Sequence, residues 1–292
     1  MNGHMSAPRP PHRQTEWPVI RNALTTFLDM QRPHMVHGFG EIDITEPLAA
    51  IRRHERELRV AISFHAFALY CMVQAAMQNP TVVTYRHGRK LITFEDIDVL
   101  TPVDKKLPGG VRIPVAYIVR GAQNKSLAEI NWELRQAVKA PDLPNDRTVR
   151  MRRRAAKLPA FARRWISRRV QRDPFLFKQL NGTIGLTNVQ SHGFTNPMYA
   201  LPPAIHTFGF AIGNTAERLK LDESGRVILR KVMCIGSAAD HDIVDGMGLA
   251  RFAYLFTQLV EQAAGLDDSF VAQTRRFMEG DQRAGICTAQ RS

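Results

Sequence analysis

The stretch "SAADHDIVDGMG", Ser237–Gly248, decides how the rest of the chain is read. It places one histidine, His241, three residues ahead of the pair Asp245-Gly246, after one apolar run and before another. An apolar run that ends here and a periodic run that begins here read as a strand followed by a helix. A side chain at such a junction can point from the end of a sheet into a cleft, with the unpaired N–H groups of the helix start close by. His241 is then a candidate general base, because an unperturbed imidazole titrates near neutrality. The plainer reading is equally physical: Asp245 is a helix N-cap, Gly246 supplies a tight turn and His241 is a loop histidine. The motif by itself leaves both open.

Outward from this junction, "GLARFAYLFTQLVEQAAG" sets Leu249, Phe252, Ala253, Phe256, Leu259 and Val260 on one helical face and closes at Gly265. Upstream, "GRVILRKVMCIGSA", "HTFGFAIGN" and "NGTIGLTNV" read as strands. Nearer the front, "EIDIT" (41–45) alternates like a strand, and the helix after it takes Thr45 as N-cap. "SFHAFALYCMVQAAMQNP" is apolar on nearly every face, as a buried helix is. "LITFEDIDVLTPVD" and "RIPVAYIVRGA" read as two strands around "KKLPGG", and "SLAEINWELRQAV" opens on a capping box, Ser126 with Glu129. Strands and helices alternate irregularly, which favours an α/β fold with a mixed sheet covered by helices.

Composition narrows the function. The 292 residues are enough for one large domain or two small ones, and 44% hydrophobic with 23% charged residues is ordinary globular usage. The longest apolar stretch, 66–77, is too short to span a bilayer, and the polar, Pro-rich start contains no signal-peptide core. Both point to a soluble, cytoplasmic protein. Three scattered cysteines make neither a disulfide framework nor a closed zinc site, and "HMVH" (34–37) has no second ligand pair, so no metal is expected. The net charge of +13 is concentrated: residues 147–172 hold eleven Lys or Arg and no acid. Within that segment Leu158, Phe161, Ala162, Trp165 and Ile166 form one apolar stripe at helical spacing.

"SAADHDIVDGMGLARFAYLFTQLVE" resembles the C-terminal signature of the dihydrolipoamide acyltransferase catalytic domain (2-oxo acid dehydrogenase acyltransferase family). "NGTIGLTNVQSHG", "FGFAIGNTAER", "SFHAFALYCMVQAAMQNPTV" and "KSLAEINWELRQA" are similar to further segments of that family, in the same order. "RNALTTFLDMQRPHMVHGFGEIDIT" resembles chloramphenicol acetyltransferase, the other branch of the superfamily. The resemblance implies a chloramphenicol acetyltransferase-like fold, a homotrimer or higher assembly of trimers, and acyl transfer from a thioester. It assigns His241 as general base and Thr187, followed by Asn188, as hydroxyl donor to the oxyanion across a subunit boundary. Asp245 would pair with an arginine, Arg21 by position, and shape the histidine loop together with Gly246.

The implied thioester is an acyl-CoA or an acyl carrier, with a thiol, hydroxyl or amine as acceptor. About sixteen residues precede the matched region and no lipoyl-lysine motif is visible, so the expectation is a free-standing acyltransferase with no lipoyl attachment site. A disordered segment is expected over 1–16, a catalytic domain over 17–285 with a basic insertion at about 141–173, and a tail over 286–292. Asp242 departs from the family's arginine at this position ("DHD" here, "DHR" there). The basic segment 147–172 suits first the phosphates of coenzyme A or an acidic carrier, then equally an anionic membrane surface reached through Phe161, Trp165 and Ile166 or a solvated arm with no partner; nucleic acid ranks last, since no recognition motif accompanies the charge. A non-catalytic scaffold core and a condensation-type amide-forming enzyme are the alternative readings.

Overall fold

The computed structural model describes residues 19–106, 112–140, 151, 154–189 and 196–289, and the side chains of all of these except 20, 23, 24, 106, 112 and 281–289. The segment expected to be disordered (1–16), most of the variable loop with the first basic residues, and the very end of the tail lie outside the described residues.

A six-stranded mixed sheet organises the chain: β1 (Met35–Asp43), β8 (Val227–Asp240), β7 (Phe208–Leu221), β6 (Ile184–Asn188), β4 (Val99–Lys106) and β5 (Arg112–Val119), in that spatial order. β6 runs parallel to both of its neighbours, and the other pairings are antiparallel. The run "LITFEDIDVLTPVD" is not one strand. Its front, β3 (Lys90–Thr93), pairs with β2 (Thr84–His87) in a separate ribbon. The chain breaks before β4 because Asp98 is buried and fully used: its carboxylate accepts from Gly121 N and Arg120 Nη1, and its carbonyl from Thr183 N.

Helices cover one face of the sheet. In α3 (Phe64–Met77) nine residues are buried and Ser63 caps the start; α4 (Leu127–Lys139) opens on the Ser126–Glu129 capping box. α2 (Thr45–Leu58) begins one residue earlier than expected: Thr45 lies inside the helix, and its hydroxyl accepts the N–H of Lys231 instead of capping. α7 (Gly246–Glu261) is fixed by a match of two periods. Phe252 and Phe256, four apart on a helix, are about 6 Å apart along the axis, and Phe208 and Phe210, two apart on β7, are spaced about as far. Each ring of the helix therefore meets one of the strand, with centroids 4.5 Å apart for Phe208–Phe252 and 4.8 Å for Phe210–Phe256. Such pairs contribute about 0.5 to 1.5 kcal/mol each beyond their buried area. They hold α7 in place, and with it the turn that carries His241.

The other face is notched by glycines. A Cβ at Gly213 or Gly236 would run into the carbonyl oxygens of Met198 and Ala200, so only glycine lets the segment 198–200 lie on β7 and β8. The chain also continues beyond Gly265 into α8 (Asp268–Ala289), where Phe277 stacks on Trp132 of α4. Sequence reading stopped short of this helix.

The basic segment forms α5 (Ala160–Arg172), followed by α6 (Pro174–Asn181). Its apolar stripe is divided: Ile166 packs against an apolar cluster, while the large aromatics face outward. Phe161 and Trp165 are 76% and 69% exposed, whereas Ser167 and Val170 are buried against α1 (Ile20–Leu28) and a second apolar cluster containing Met30, Tyr85, Phe177 and Ile205.

Candidate active site

His241 follows β8 directly, in the turn before α7, and is exposed. Its backbone N–H donates to the carbonyl of His34 at 2.8 Å, which ties the turn to the residue ahead of β1. Asp240, one residue earlier, is the anchor. Its carboxylate takes Arg32 Nη1 at 2.8 Å and the N–H of Asp242 at 3.2 Å, and its carbonyl accepts from Ile243 and Val244. Arg32 in turn donates from Nε to Ile205 O and lies over the ring of Tyr85 at 5.0 Å. The histidine thus hangs from a buried ion pair, with side chains 11% and 5% exposed, while its imidazole takes no hydrogen bond among the described residues.

Asp245 caps α7: its Oδ1 accepts the N–H of Gly248 at 2.6 Å. It makes no ion pair among the described residues, so the expected Arg21–Asp245 pair is absent from this protomer; the arginine bound to the histidine loop is Arg32, through Asp240. Arg21 lies on α1 and has other interactions. Gly246 does not supply a left-handed turn either. It is the first residue of α7, and a Cβ there would meet nothing within 4 Å. Asp242 bonds the ring of His34 at 2.9 Å on the surface beside His241. Arg32 was missed in the sequence because nothing local marks it; the only hint was an acid immediately before the histidine.

Thr187 and Asn188 end β6, half-buried, and the Thr187 hydroxyl has no hydrogen-bond partner among the described residues. The sheet register separates it from His241. Thr187 lies opposite Ala211, Ala211 opposite Gly236, and His241 follows Gly236 by five residues. At about 3.3 Å per residue and 4.8 Å per strand, the two residues of one chain stand about 19 Å apart. One thioester carbon cannot touch both within a protomer. Two hollows on the described surface, one lined by Ala49, Arg52, Glu55 and Arg56 and the other by Asn22, Thr25, Asp29, Ala160, Arg163 and Arg164, include neither residue. No group of three or more potential metal ligands occurs among the described residues, and no helix there is long and apolar enough to cross a membrane.

Residues 177–266, which include Thr187, His241 and Asp245, match the family model of the 2-oxoacid dehydrogenases acyltransferase (catalytic domain). The chain is 30% identical over 210 residues to the dihydrolipoyllysine-residue acetyltransferase component of the pyruvate dehydrogenase complex of Mycoplasma pneumoniae; the match takes in 70% of this chain and 43% of that protein. The chain therefore spans less than half the length of that relative. Among solved structures, a probable dihydrolipoamide acetyltransferase from Listeria monocytogenes 4b F2365 shares the fold with a TM-score of 0.61 at 15% identity, over 86% of this chain and 95% of that one. The cubic core of a pyruvate dehydrogenase multienzyme complex gives 0.61 at 16% identity, over 89% and 99%. This chain is a homologue of the 2-oxoacid dehydrogenase acyltransferase catalytic domain.

Proposed function

We propose that the chain is an acyltransferase that moves an acyl group between a thioester and a thiol, hydroxyl or amine, and that its site forms only where two protomers meet. The supporting observation is the separation of His241 and Thr187 by about 19 Å along and across one sheet, each with its functional group free of hydrogen bonds among the described residues. The acyltransferase domain is taken to span 17–285 with the basic insertion at about 141–173, working in the cytoplasm and touching a membrane only at its surface. Coenzyme A enters as substrate, in the form of an acyl-CoA, or is replaced by an acyl carrier.

His241 removes the acceptor's proton as the acceptor attacks the thioester carbon. The hydroxyl of the neighbour's copy of Thr187 donates to the carbonyl oxygen as it becomes an oxyanion. When the C–S bond breaks, the imidazolium returns the proton to the leaving thiolate. Asp240 and Arg32 keep the histidine turn in place, Asp245 caps the helix behind it, and Asn188 follows the donor. Assembly into trimers fits the long β7–β8 hairpin, whose far end carries Leu219 opposite Leu229 and Leu221 opposite Val227, all exposed. These four side chains form an apolar patch that a second copy would cover.

The test pairs two inactive variants. Acyl-CoA thioesters are supplied with small thiol, hydroxyl and amine acceptors, and free coenzyme A is measured. His241→Ala is expected to lose about 10²- to 10⁴-fold and Thr187→Ala about 10²- to 10³-fold. Unfolded together and refolded as mixed trimers, the two variants should recover about one quarter of native activity, because one interface in four then joins an intact His241 to an intact Thr187. No recovery, with mixed trimers demonstrated, removes the shared site. Equal coenzyme A release by native chain and His241→Ala leaves a scaffold.

A further inference from the structure

We infer that the outer face of α5 is a docking surface for an anionic phospholipid layer, with Phe161 and Trp165 entering the interface and arginines binding the phosphates. The helix holds five arginines and no acid. At 100° per residue, Phe161, Trp165, Arg168 and Arg172 fall within an arc of about 60°. Arg164 and Arg169 flank them, and all six are exposed. Leu158, 38% exposed one turn earlier, extends the apolar end.

This face is presented by a fixed helix. On the inner side Ser167 and Val170 are buried, Ser167 Oγ donates to Thr26 O, and Gln171 Nε2 donates to Met30 O and Gln31 O. The cationic residues and the aromatic pair therefore point outward together because the opposite side is bonded down. Two large aromatic side chains kept in water one turn apart, in line with guanidinium groups, match the two layers of a bilayer surface: Trp and Phe at the acyl boundary, Arg at the phosphates. An acidic protein partner fits less well. The centre of the face is the aromatic pair, which offers an acidic segment no positive charge, and Arg169 at its edge is already paired with Asp173. A bilayer takes up the aromatic rings and asks for no matching acceptors.

The inference is independent of acyl transfer and is read without it. The full chain is sedimented with unilamellar vesicles of phosphatidylglycerol and phosphatidylcholine, and with phosphatidylcholine alone. Binding is expected to the anionic vesicles, at least tenfold weaker to the neutral ones, and lost in high salt. Phe161→Ser/Trp165→Ser and Arg168→Ser/Arg172→Ser should each lower partitioning about tenfold or more at an unchanged melting temperature. Brominated lipid should quench the native chain more than Trp165→Phe. No binding to anionic vesicles at low salt overturns the inference, as does binding that survives loss of both aromatics. If polyglutamate binds the native and the aromatic-free chain equally and displaces the vesicles, the face is a charge contact for an acidic protein and the membrane assignment falls.

Discussion

The pair Arg32–Asp240 joins residues 208 positions apart at 2.8 Å, with side chains only 11% and 5% exposed. Replacing Arg32 with Met leaves the Asp240 carboxylate buried without its counter-charge. Breaking a buried pair from one side costs about 3 to 5 kcal/mol. Arg32 also loses its bond to Ile205 O and its place over Tyr85, so the upper half of that range is expected. About 4 kcal/mol corresponds to a fall in Tm on the order of 10 °C. Asp240→Asn should cost a similar amount. The double variant Arg32→Met/Asp240→Leu removes both charges and should lose less than the two single losses added together, with a coupling of about 2 kcal/mol or more. Urea unfolding of the four proteins measures this. Because Asp240 precedes His241 and also holds the N–H of Asp242, the single variants should lower kcat far more than they raise KM; a displacement of about 1 Å at the base costs about a hundredfold. A loss below about 1 kcal/mol for Arg32→Met, or additive single and double losses, would refute the claim that this pair anchors the histidine turn.

Gly246 has no left-handed backbone and open space beside it, so Gly246→Ala should stabilise the chain by about 0.4 to 1 kcal/mol by calorimetry while acyl transfer falls at least tenfold; full activity would mean that neither substrate nor neighbour enters that space. Leu229→Glu changes an exposed position on the hairpin and should leave protomer stability within about 0.5 kcal/mol. Light scattering should then show monomers, and an unchanged trimer mass would remove the hairpin from the interface. His65 has its Nδ1 buried without a partner among the described residues and its Nε2 on the Thr101 hydroxyl at 2.6 Å, and burial pushes the imidazole down to about 4 from its ordinary 6.5. The unfolded chain therefore takes up this proton first as the pH falls, and stability present above about 6.5 drains away down to about 4. Its size is on the order of 2 to 3 kcal/mol, allowing for the partly open edge of the ring. His65→Leu should flatten this part of the urea-midpoint profile, and an identical slope in both proteins would show that His65 takes up its proton equally in the folded and the unfolded chain.

Legibility in the sequence followed the range of the interactions. The buried α3 and the capping box of α4 were readable because every group that defines them lies within a few residues. The break between β3 and β4 was not, since it depends on Asp98 meeting Gly121, Arg120 and Thr183 from distant parts of the chain. Which side of α5 packs inward was not legible for a related reason. Periodicity shows that the side chains share a face, but hydrogen bonds from Ser167 and Gln171 to α1 and the turn after it decide which face points inward. The local motif marked His241 as a candidate but left its role open, Thr187 stood out through family resemblance, and the arginine that steadies the histidine was misassigned to Arg21 because the partner was sought for Asp245 instead of Asp240. Chain position cannot say whether two residues 54 apart work together. Strand register can: residues on β6 and beyond β8 that would have to touch one carbon are separated along the strands by more than a side chain can reach, so cooperation between them requires a second copy of the sheet.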